Sequence, residues 1–152
     1  MTSYLIDINV WLAMTWDMHP QHASASGWYA ALNESADSSL LFCRMTMLGF
    51  LRLLTNRTVM GDSTITLKSA LDLYDQWILD PRVELAPEPR LIDKPFRKAL
   101  SPVSSQLATK AIADCYLVGF AAAAGARIVT LDKGLAGMAK RQKVPVALIR
   151  PV

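Results

Sequence analysis

Short apolar runs alternate along the chain with segments in which apolar residues recur every three or four positions. The apolar runs have the length and composition of buried strands and are predicted at 4–7, 40–43, 82–85, 127–131 and 144–149. The other segments have the period of helices with one buried stripe and are predicted at 9–15, 21–33, 45–54, 67–78, within 89–99, at 108–122 and at 134–139. This alternation predicts an α/β fold, a parallel sheet flanked by helices on both faces.

The predicted helix over 45–54 is apolar on nearly every side, so we expect it to be largely buried. Arg52 is the only charged residue within it. An arginine in such a helix needs either an acidic partner or a phosphate. Two interpretations of Arg52 therefore stay open, a structural salt bridge and a role near a functional site.

Two acidic residues end predicted strands. Asp7 follows the apolar run 4–6, and Asp132 follows the apolar run 128–131. Ligands of α/β folds bind outside the carboxyl ends of the strands, which makes both acids candidates for a site. Each also fits a simpler interpretation, the N-cap of the helix that follows it.

Asp114 is a third candidate because it lies inside the predicted helix 108–122 among apolar neighbours. The simpler interpretation is a surface acid paired with Lys110, four residues earlier. Such a pair contributes only about 0.2–0.5 kcal/mol, and aspartate is a poor helix former. The position therefore favours some further role for the carboxylate.

If Asp7, Asp114 and Asp132 meet at one edge of the sheet, their charges must be compensated. Two carboxylates about 4 Å apart repel by roughly 4 kcal/mol at an effective dielectric constant of about 20. Protons or a cation would relieve that repulsion, and oxygen ligands suit Mg²⁺ or Mn²⁺. Such an ion activates water and stabilises the oxygen that leaves a phosphodiester, which is the chemistry of a nuclease.

The charge balance permits a polyanionic partner. Sixteen Lys and Arg residues stand against 13 Asp and Glu, a net charge of +3, and the stretch after Asp132 is basic. Its basic residues are Lys133, Lys140, Arg141, Lys143 and Arg150. They form either a solubilising surface or an electrostatic attraction for an RNA backbone.

Composition also bounds the class of protein. Hydrophobic residues make up 52% of the 152 residues, enough for one core over 1–152 and for an additional interface such as that of a homodimer. Core packing is the default interpretation of the four tryptophans, and Trp11 and Trp16, which flank the first predicted helix, are the better candidates for an interface. No apolar run reaches the length of a membrane span and no signal peptide is recognisable, so we expect a cytoplasmic protein without a membrane partner.

Four segments together resemble a PIN domain, and more narrowly the VapC toxins of bacterial toxin–antitoxin pairs. They are Leu5-Ile6-Asp7-Ile8-Asn9-Val10-Trp11-Leu12, the segment from Thr46 to Asn56, Ala113-Asp114-Cys115-Tyr116-Leu117, and Val129-Thr130-Leu131-Asp132-Lys133-Gly134-Leu135. The resemblance spans nearly the whole chain. It implies a central parallel sheet of four or five strands.

The resemblance also implies a function. The implied protein is a Mg²⁺-dependent endoribonuclease that is usually a homodimer and that a VapB antitoxin neutralises. Asp7, Asp114 and Asp132 match the metal-binding acids of the family, and Asn9 matches a polar position near the site. Arg52 and Lys133 are further candidates for contact with the substrate.

The chain departs from the family at Gly49, where most PIN domains carry a further acid. Glu88 and Asp93, in the proline-rich connection, are the available replacements. The departure keeps an alternative open, a degenerate PIN domain that binds RNA or a protein without cutting. A phosphotransfer domain with Asp7 as acceptor is disfavoured because no acid precedes Asp7.

Overall fold

A computed structural model describes residues 1–32, 37–107 and 110–152. Its strands are β1 (Thr2–Ile6), β2 (Ser38–Phe42), β3 (Val83–Leu85), β4 (Arg127–Thr130) and β5 (Val146–Leu148). Its helices are α1 (Ile8–Thr15), α2 (His22–Ala31), α3 (Arg44–Leu54), α4 (Arg57–Met60), α5 (Leu67–Ile78), α6 (Asp93–Leu100), α7 (Ala111–Ala124) and α8 (Lys133–Arg141). Two 3₁₀ turns span Gly61–Ser63 and Ser101–Val103.

The predicted elements correspond closely to these strands and helices. The predicted ends of two helices, at 33 and 108, lie outside the described residues. Helix α4 was not predicted, since four residues are too few to show a helical period. Its start depends on a single cap, in which the Asn56 side chain accepts a hydrogen bond from the Thr58 N–H at 2.9 Å.

The five strands form one parallel sheet in the order β3-β2-β1-β4-β5, which confirms the predicted fold class. Side chains alternate across the sheet, so neighbouring residues of each central strand enter two different cores. Ile6, Phe42 and Val129 lie in one core with helices α1 and α3. The residues just before them, Leu5, Leu41 and Ile128, lie in the other core with α7 and α8.

Trp11 belongs to the first core and not to an exposed interface. Its side chain is fully buried and its ring stacks on Phe42 with centroids 3.8 Å apart. The ring of Trp77 meets it edge-on at 5.2 Å. Trp16, at the C-terminal end of α1, stays partly exposed. Core packing, the default interpretation of the tryptophans, is therefore confirmed for Trp11, and the alternative that Trp11 lines an interface is wrong.

Helix α3 is less buried than its composition predicts. Gly49 and Phe50 face the core, whereas Leu48 is 48% exposed and Arg52 is exposed. The packing of α3 against α1 and α5 covers only part of its circumference. An exposed leucine therefore lies on a face that the sequence pattern assigned to the interior.

The direction of the helices determines which residues meet. Helices α1, α3 and α8 directly follow β1, β2 and β4, so they begin at the carboxyl edge of the sheet. Helix α7 leads into the start of β4 and therefore also begins near that edge. In the described ranges, no helix combines the length and apolar character that a bilayer crossing requires.

Candidate active site at the carboxyl edge of the sheet

Asp7 is held at the junction of β1 and α1. Its N–H donates to the carbonyl of Val129 at 2.9 Å, which extends the pairing of β1 with β4 by one residue. Its Oδ1 accepts a hydrogen bond from the Ile8 N–H at 2.8 Å, at the N-cap of α1. The partly buried carboxylate is thus oriented by the backbone around it.

Asp132 occupies the corresponding position after β4. Its Oδ1 accepts hydrogen bonds from the N–H groups of Gly134 at 2.7 Å and Leu135 at 3.4 Å, and so caps α8. The simpler interpretation of both acids, as N-caps, is therefore confirmed. Since β1 and β4 are neighbours, the caps also lie side by side, and capping does not exclude a shared site.

Thr130 joins these two acids, and sequence reasoning missed it. Its hydroxyl donates to Asp7 Oδ2 at 2.8 Å and accepts from the Asp132 N–H at 3.0 Å. The residue has no solvent exposure. The signal in the sequence was a hydroxyl two residues before Asp132, at the end of an otherwise apolar strand.

Asp114 comes from the first turn of α7 and is partly buried. Its pKa is raised to about 6, chiefly because burial disfavours the charged form and further because Asp132 and Asp7 repel it. No ion pair within 4 Å joins it to Lys110 among the described residues. The salt-bridge interpretation of Asp114 is therefore wrong.

The pKa of Asp7 is raised as well. Burial is the main cause, and the charge of Asp132 adds to it, while the hydrogen bonds from Thr130 and Ile8 oppose the rise. Asp132 thus acts on both of the other carboxylates, and Asp7 acts on Asp114. The fold places Asp7, Asp114 and Asp132 in one electrostatically coupled group.

The group fits a hard divalent cation by its chemistry, because it offers only oxygen donors with excess negative charge. Among the described residues, however, no three His, Cys, Asp or Glu side chains are close enough together to hold an ion jointly. Magnesium keeps several of its waters when it binds to proteins. An ion bound partly through water needs fewer direct carboxylate ligands than three.

The position of the missing family acid is occupied by another side chain. A Cβ atom at Gly49 would overlap Ile8 Cδ1 and would lie 3.0 Å from Ile8 Cγ1. Ile8 follows Asp7 directly, so an apolar contact between α1 and α3 lies next to Asp7. An acidic side chain at 49 would first have to displace Ile8.

Neither suggested replacement for that acid joins the group. Asp93 is exposed and pairs with Arg97 at 2.7 Å. Glu88 accepts a hydrogen bond from the Tyr116 hydroxyl at 2.7 Å. Neither carboxylate is among the groups that shift the pKa of Asp7 or Asp114.

The other candidates separate into two places. Asn9, in the first turn of α1, and Lys133, the first residue of α8, are exposed at the edge that carries the acids. Arg52 is exposed in the last turn of α3, about 12 Å along the helix axis from Arg44 at its start. The structure thus places Asn9 and Lys133 beside the acids and Arg52 away from them.

Comparison with known proteins identifies relatives of this arrangement. A family model described as PIN domain matches residues 4–141. Ribonuclease VapC41 of Mycobacterium tuberculosis is 36% identical over 132 residues, which cover 84% of this chain and 88% of that protein. Ribonuclease VapC38 of the same species is 28% identical over 146 residues, or 95% of this chain and 96% of that protein.

A solved structure agrees in fold. The crystal structure of VapBC2 from Rickettsia felis, bound to a promoter DNA fragment, contains a chain that superposes with a TM-score of 0.69 at 10% identity. The match covers 98% of this chain and all of that one. The chain belongs to the PIN-domain family, and within that family to the VapC proteins.

Proposed function

We propose that this chain is a divalent-metal-dependent endoribonuclease, the toxin of a VapBC-type pair, acting in the cytoplasm. The observation that carries the proposal is the coupled group of Asp7, Asp114 and Asp132, in which burial and mutual repulsion raise two pKa values. Because burial and repulsion disfavour the ionised carboxylates, a bound cation would stabilise them. The ribonuclease relatives support the activity.

In this proposal Asp7, Asp114 and Asp132 hold Mg²⁺ or Mn²⁺, in part through water. The ion supplies activation of a water molecule and neutralisation of charge on the phosphodiester. Thr130 keeps the carboxylate of Asp7 oriented through its 2.8 Å hydrogen bond. Lys133 and the basic residues that follow it attract the RNA backbone. Asn9, exposed two residues after Asp7, binds substrate at the rim.

Assembly is the second part of the proposal. We infer a homodimer that a VapB-type antitoxin covers and neutralises. The family relationship supports this, as do exposed apolar side chains such as Leu48, Leu67 and Leu71, which are 48%, 57% and 37% exposed. Light scattering of the chain alone should give twice the monomer mass at micromolar concentration. A monomer mass throughout that range would contradict the dimer.

Asp114→Asn tests the nuclease directly. We expect cleavage of RNA in Mg²⁺ to fall by orders of magnitude, with circular dichroism unchanged. Asp62→Asn is the matched control, because Asp62 is an exposed acid in the 3₁₀ turn Gly61–Ser63. Cleavage by Asp114→Asn at the wild-type rate would overturn the assignment.

Gly49 favours a second candidate, a PIN domain that binds RNA without cutting it. The absence of the further acid and the closure of that position by Ile8 are its support. In that case wild type and Asp114→Asn would bind RNA equally well, and neither would cleave it in Mg²⁺ or Mn²⁺. Mg²⁺-dependent turnover by wild type alone rejects this candidate.

A further inference from the structure

A separate pocket of about 440 Å³ opens beside β2 and β3. Its lining includes Arg44, Ala86, Pro87, Glu88, Tyr116 and Phe120. None of the three aspartates of the acidic group lines it. The pocket is therefore distinct from the acidic group and is lined by different residues.

The sheet places this pocket next to the acidic group. The Ala86 N–H donates to the Phe42 carbonyl at 2.8 Å, so the pocket begins where β2 and β3 end. Strand β2 is the neighbour of β1, which carries Asp7. Strands in a sheet lie about 4.8 Å apart, so one or two strand spacings separate the two features. Neighbouring nucleotides of one RNA strand can span that separation.

The interior of the pocket combines apolar and hydrogen-bonding surface. Phe120 is 1% exposed and lies beside the partly buried Tyr116, with ring centroids 6.1 Å apart, so Tyr116 is the ring of this pair that a base can reach. The Tyr116 hydroxyl donates a hydrogen bond to Glu88 Oε1 at 2.7 Å. Glu88 Oε2 has no hydrogen-bond partner within the part of the chain that the structure describes. An acceptor thus remains available at the mouth of the pocket.

A positively charged side chain, that of Arg44, lies at the rim of the pocket. Arg44 is exposed at the first turn of α3, and its Nη1 lies 3.0 Å from the Met47 sulfur. Across residues 1–32, 37–107 and 110–152, no acidic side chain pairs with it within 4 Å. Arginine binds phosphate in a planar, bidentate geometry that suits the backbone of RNA. The guanidinium is therefore available to an anion bound beside the pocket.

We propose that this pocket is a nucleotide subsite, which takes one base of the single-stranded RNA next to the bond that is cut and holds its phosphate on Arg44. The inference rests on the proposed ribonuclease function. Bases of single-stranded RNA bind proteins by stacking on aromatic rings and through their Watson–Crick edges. Glu88 Oε2 accepts one base N–H, and Oε1 keeps a second lone pair beside the bond from Tyr116. Guanine presents two adjacent N–H groups to this pair of oxygens, where uracil presents one. The subsite therefore prefers guanine.

Titration of the full-length protein with mononucleotides, without divalent cations, tests the pocket. We expect guanosine 5′-monophosphate to shift the amide NMR signals of 85–88 and 116, and to bind more tightly than uridine 5′-monophosphate. Arg44→Ala should weaken binding of both about fivefold or more. Glu88→Gln should remove the preference for guanine.

Arg57→Ala is the matched control, since Arg57 is an exposed arginine of α4, beyond the opposite end of α3. It should bind both nucleotides as wild type does. Equal losses in Arg44→Ala and Arg57→Ala would overturn the inference. Shifts confined to other parts of the chain would also overturn it.

A short RNA distinguishes an RNA subsite from a site for free nucleotides. The double variant Asp114→Asn/Arg44→Ala should bind the RNA more weakly than Asp114→Asn alone. Its negative slope of log Kobs against log[salt] should be less steep by about one. Mononucleotide binding with an unchanged RNA slope would reject the RNA subsite. These titrations involve no cleavage, so loss of the subsite and loss of the nuclease assignment are separate results.

Discussion

The Thr130 hydroxyl donates a 2.8 Å hydrogen bond to Asp7 Oδ2 and accepts one from the Asp132 N–H. One fully buried side chain thus connects the two acids that end β1 and β4. Its bond to Asp7 is also the leading factor that holds the pKa of that carboxyl down against burial. The orientation and the charge of Asp7 therefore depend on Thr130.

We expect Thr130→Val, which keeps the shape and removes both hydrogen bonds, to raise the pKa of Asp7 and, because Thr130 orients a proposed metal ligand, to lower kcat by about tenfold. The free energy of unfolding should fall by about 1–3 kcal/mol, because the Asp132 N–H loses its acceptor. Thr130→Ser keeps the hydroxyl and should retain most activity. A kcat and pH profile of Thr130→Val that match wild type would contradict the positioning role.

Asp114 should make stability depend on pH when no divalent cation is present. Its folded-state pKa of about 6 lies above the usual 3.8, so the folded state holds this proton more tightly than the unfolded state. The ionised carboxylate of Asp114 therefore destabilises the folded state. This destabilisation is absent below pH 3.8, grows as the pH rises from 3.8 to about 6, and is complete above about pH 6. Asp114→Asn should therefore be more stable than wild type at pH 7 in EDTA, by about 1–2 kcal/mol after allowance for solvent screening.

Urea denaturation at pH 4 and pH 7 measures this effect. The gain should be much smaller at pH 4, because the carboxyl is then protonated in the folded state and only partly ionised in the unfolded state. Asp62→Asn, which removes an exposed acid, should show no comparable gain. Equal gains in the two variants at pH 7 would mean that general charge, and not the acidic group, is responsible.

Magnesium should stabilise the fold through the acidic group. For a dissociation constant of about 1 mM, roughly 10 mM Mg²⁺ adds about 1.4 kcal/mol, or about 2–4 °C in Tm. Asp7→Asn and Asp132→Asn should respond less. Asparagine caps helices about as well as aspartate, so α1 and α8 should persist in these variants. Sodium chloride at matched ionic strength is the control, and an equal response of all three proteins would contradict a shared metal site.

Gly119 should not tolerate a side chain, because α6 crosses α7 there at close range. A Cβ at this position would lie 2.7 Å from Phe96 Cα and 2.8 Å from Phe96 N. Backbone would have to move, so Gly119→Ala should lower the free energy of unfolding by about 1–3 kcal/mol. Gly27→Ala, in α2 with open space around the new Cβ, should instead raise it by about 0.5–1 kcal/mol. Urea denaturation compares the two variants, and a neutral Gly119→Ala would contradict the close crossing.

Asp80 should stabilise the protein above acid pH. It accepts hydrogen bonds from Arg82 at 3.0 Å and from the Tyr29 hydroxyl, and its pKa is lowered to about 2, chiefly by Arg82. Because the pKa of Asp80 is lower in the folded state, its ionised carboxylate stabilises the protein above about pH 4, and this contribution is lost as the pH falls towards 2. Asp80→Asn should lower the free energy of unfolding at pH 7 by about 1–2 kcal/mol, with a smaller loss at pH 3. A loss of the same size at both pH values would assign the effect to packing alone.

Much of the fold and part of the site follow from local sequence. The strand and helix periods predicted the parallel α/β fold, because side-chain spacing repeats within one element and needs no partner. Asp7 and Asp132 stood out for the same reason, as acids at the ends of apolar runs. Asp114 stood out as an acid within an apolar helix.

Tertiary structure decided what each of those residues meets. The strand order puts β1 between β2 and β4, so Asp7 gains Thr130 as a partner 123 residues away in sequence. Burial of Trp11 against Phe42 and the exposure of Arg52 depend likewise on how α1 and α3 pack. Contacts between distant segments depend on the order of strands and the faces of helices, and no local pattern specifies either. The sequence by itself determined the elements and the candidate acids, whereas the sheet order determined that Asp7 and Asp132 meet at one edge of the sheet.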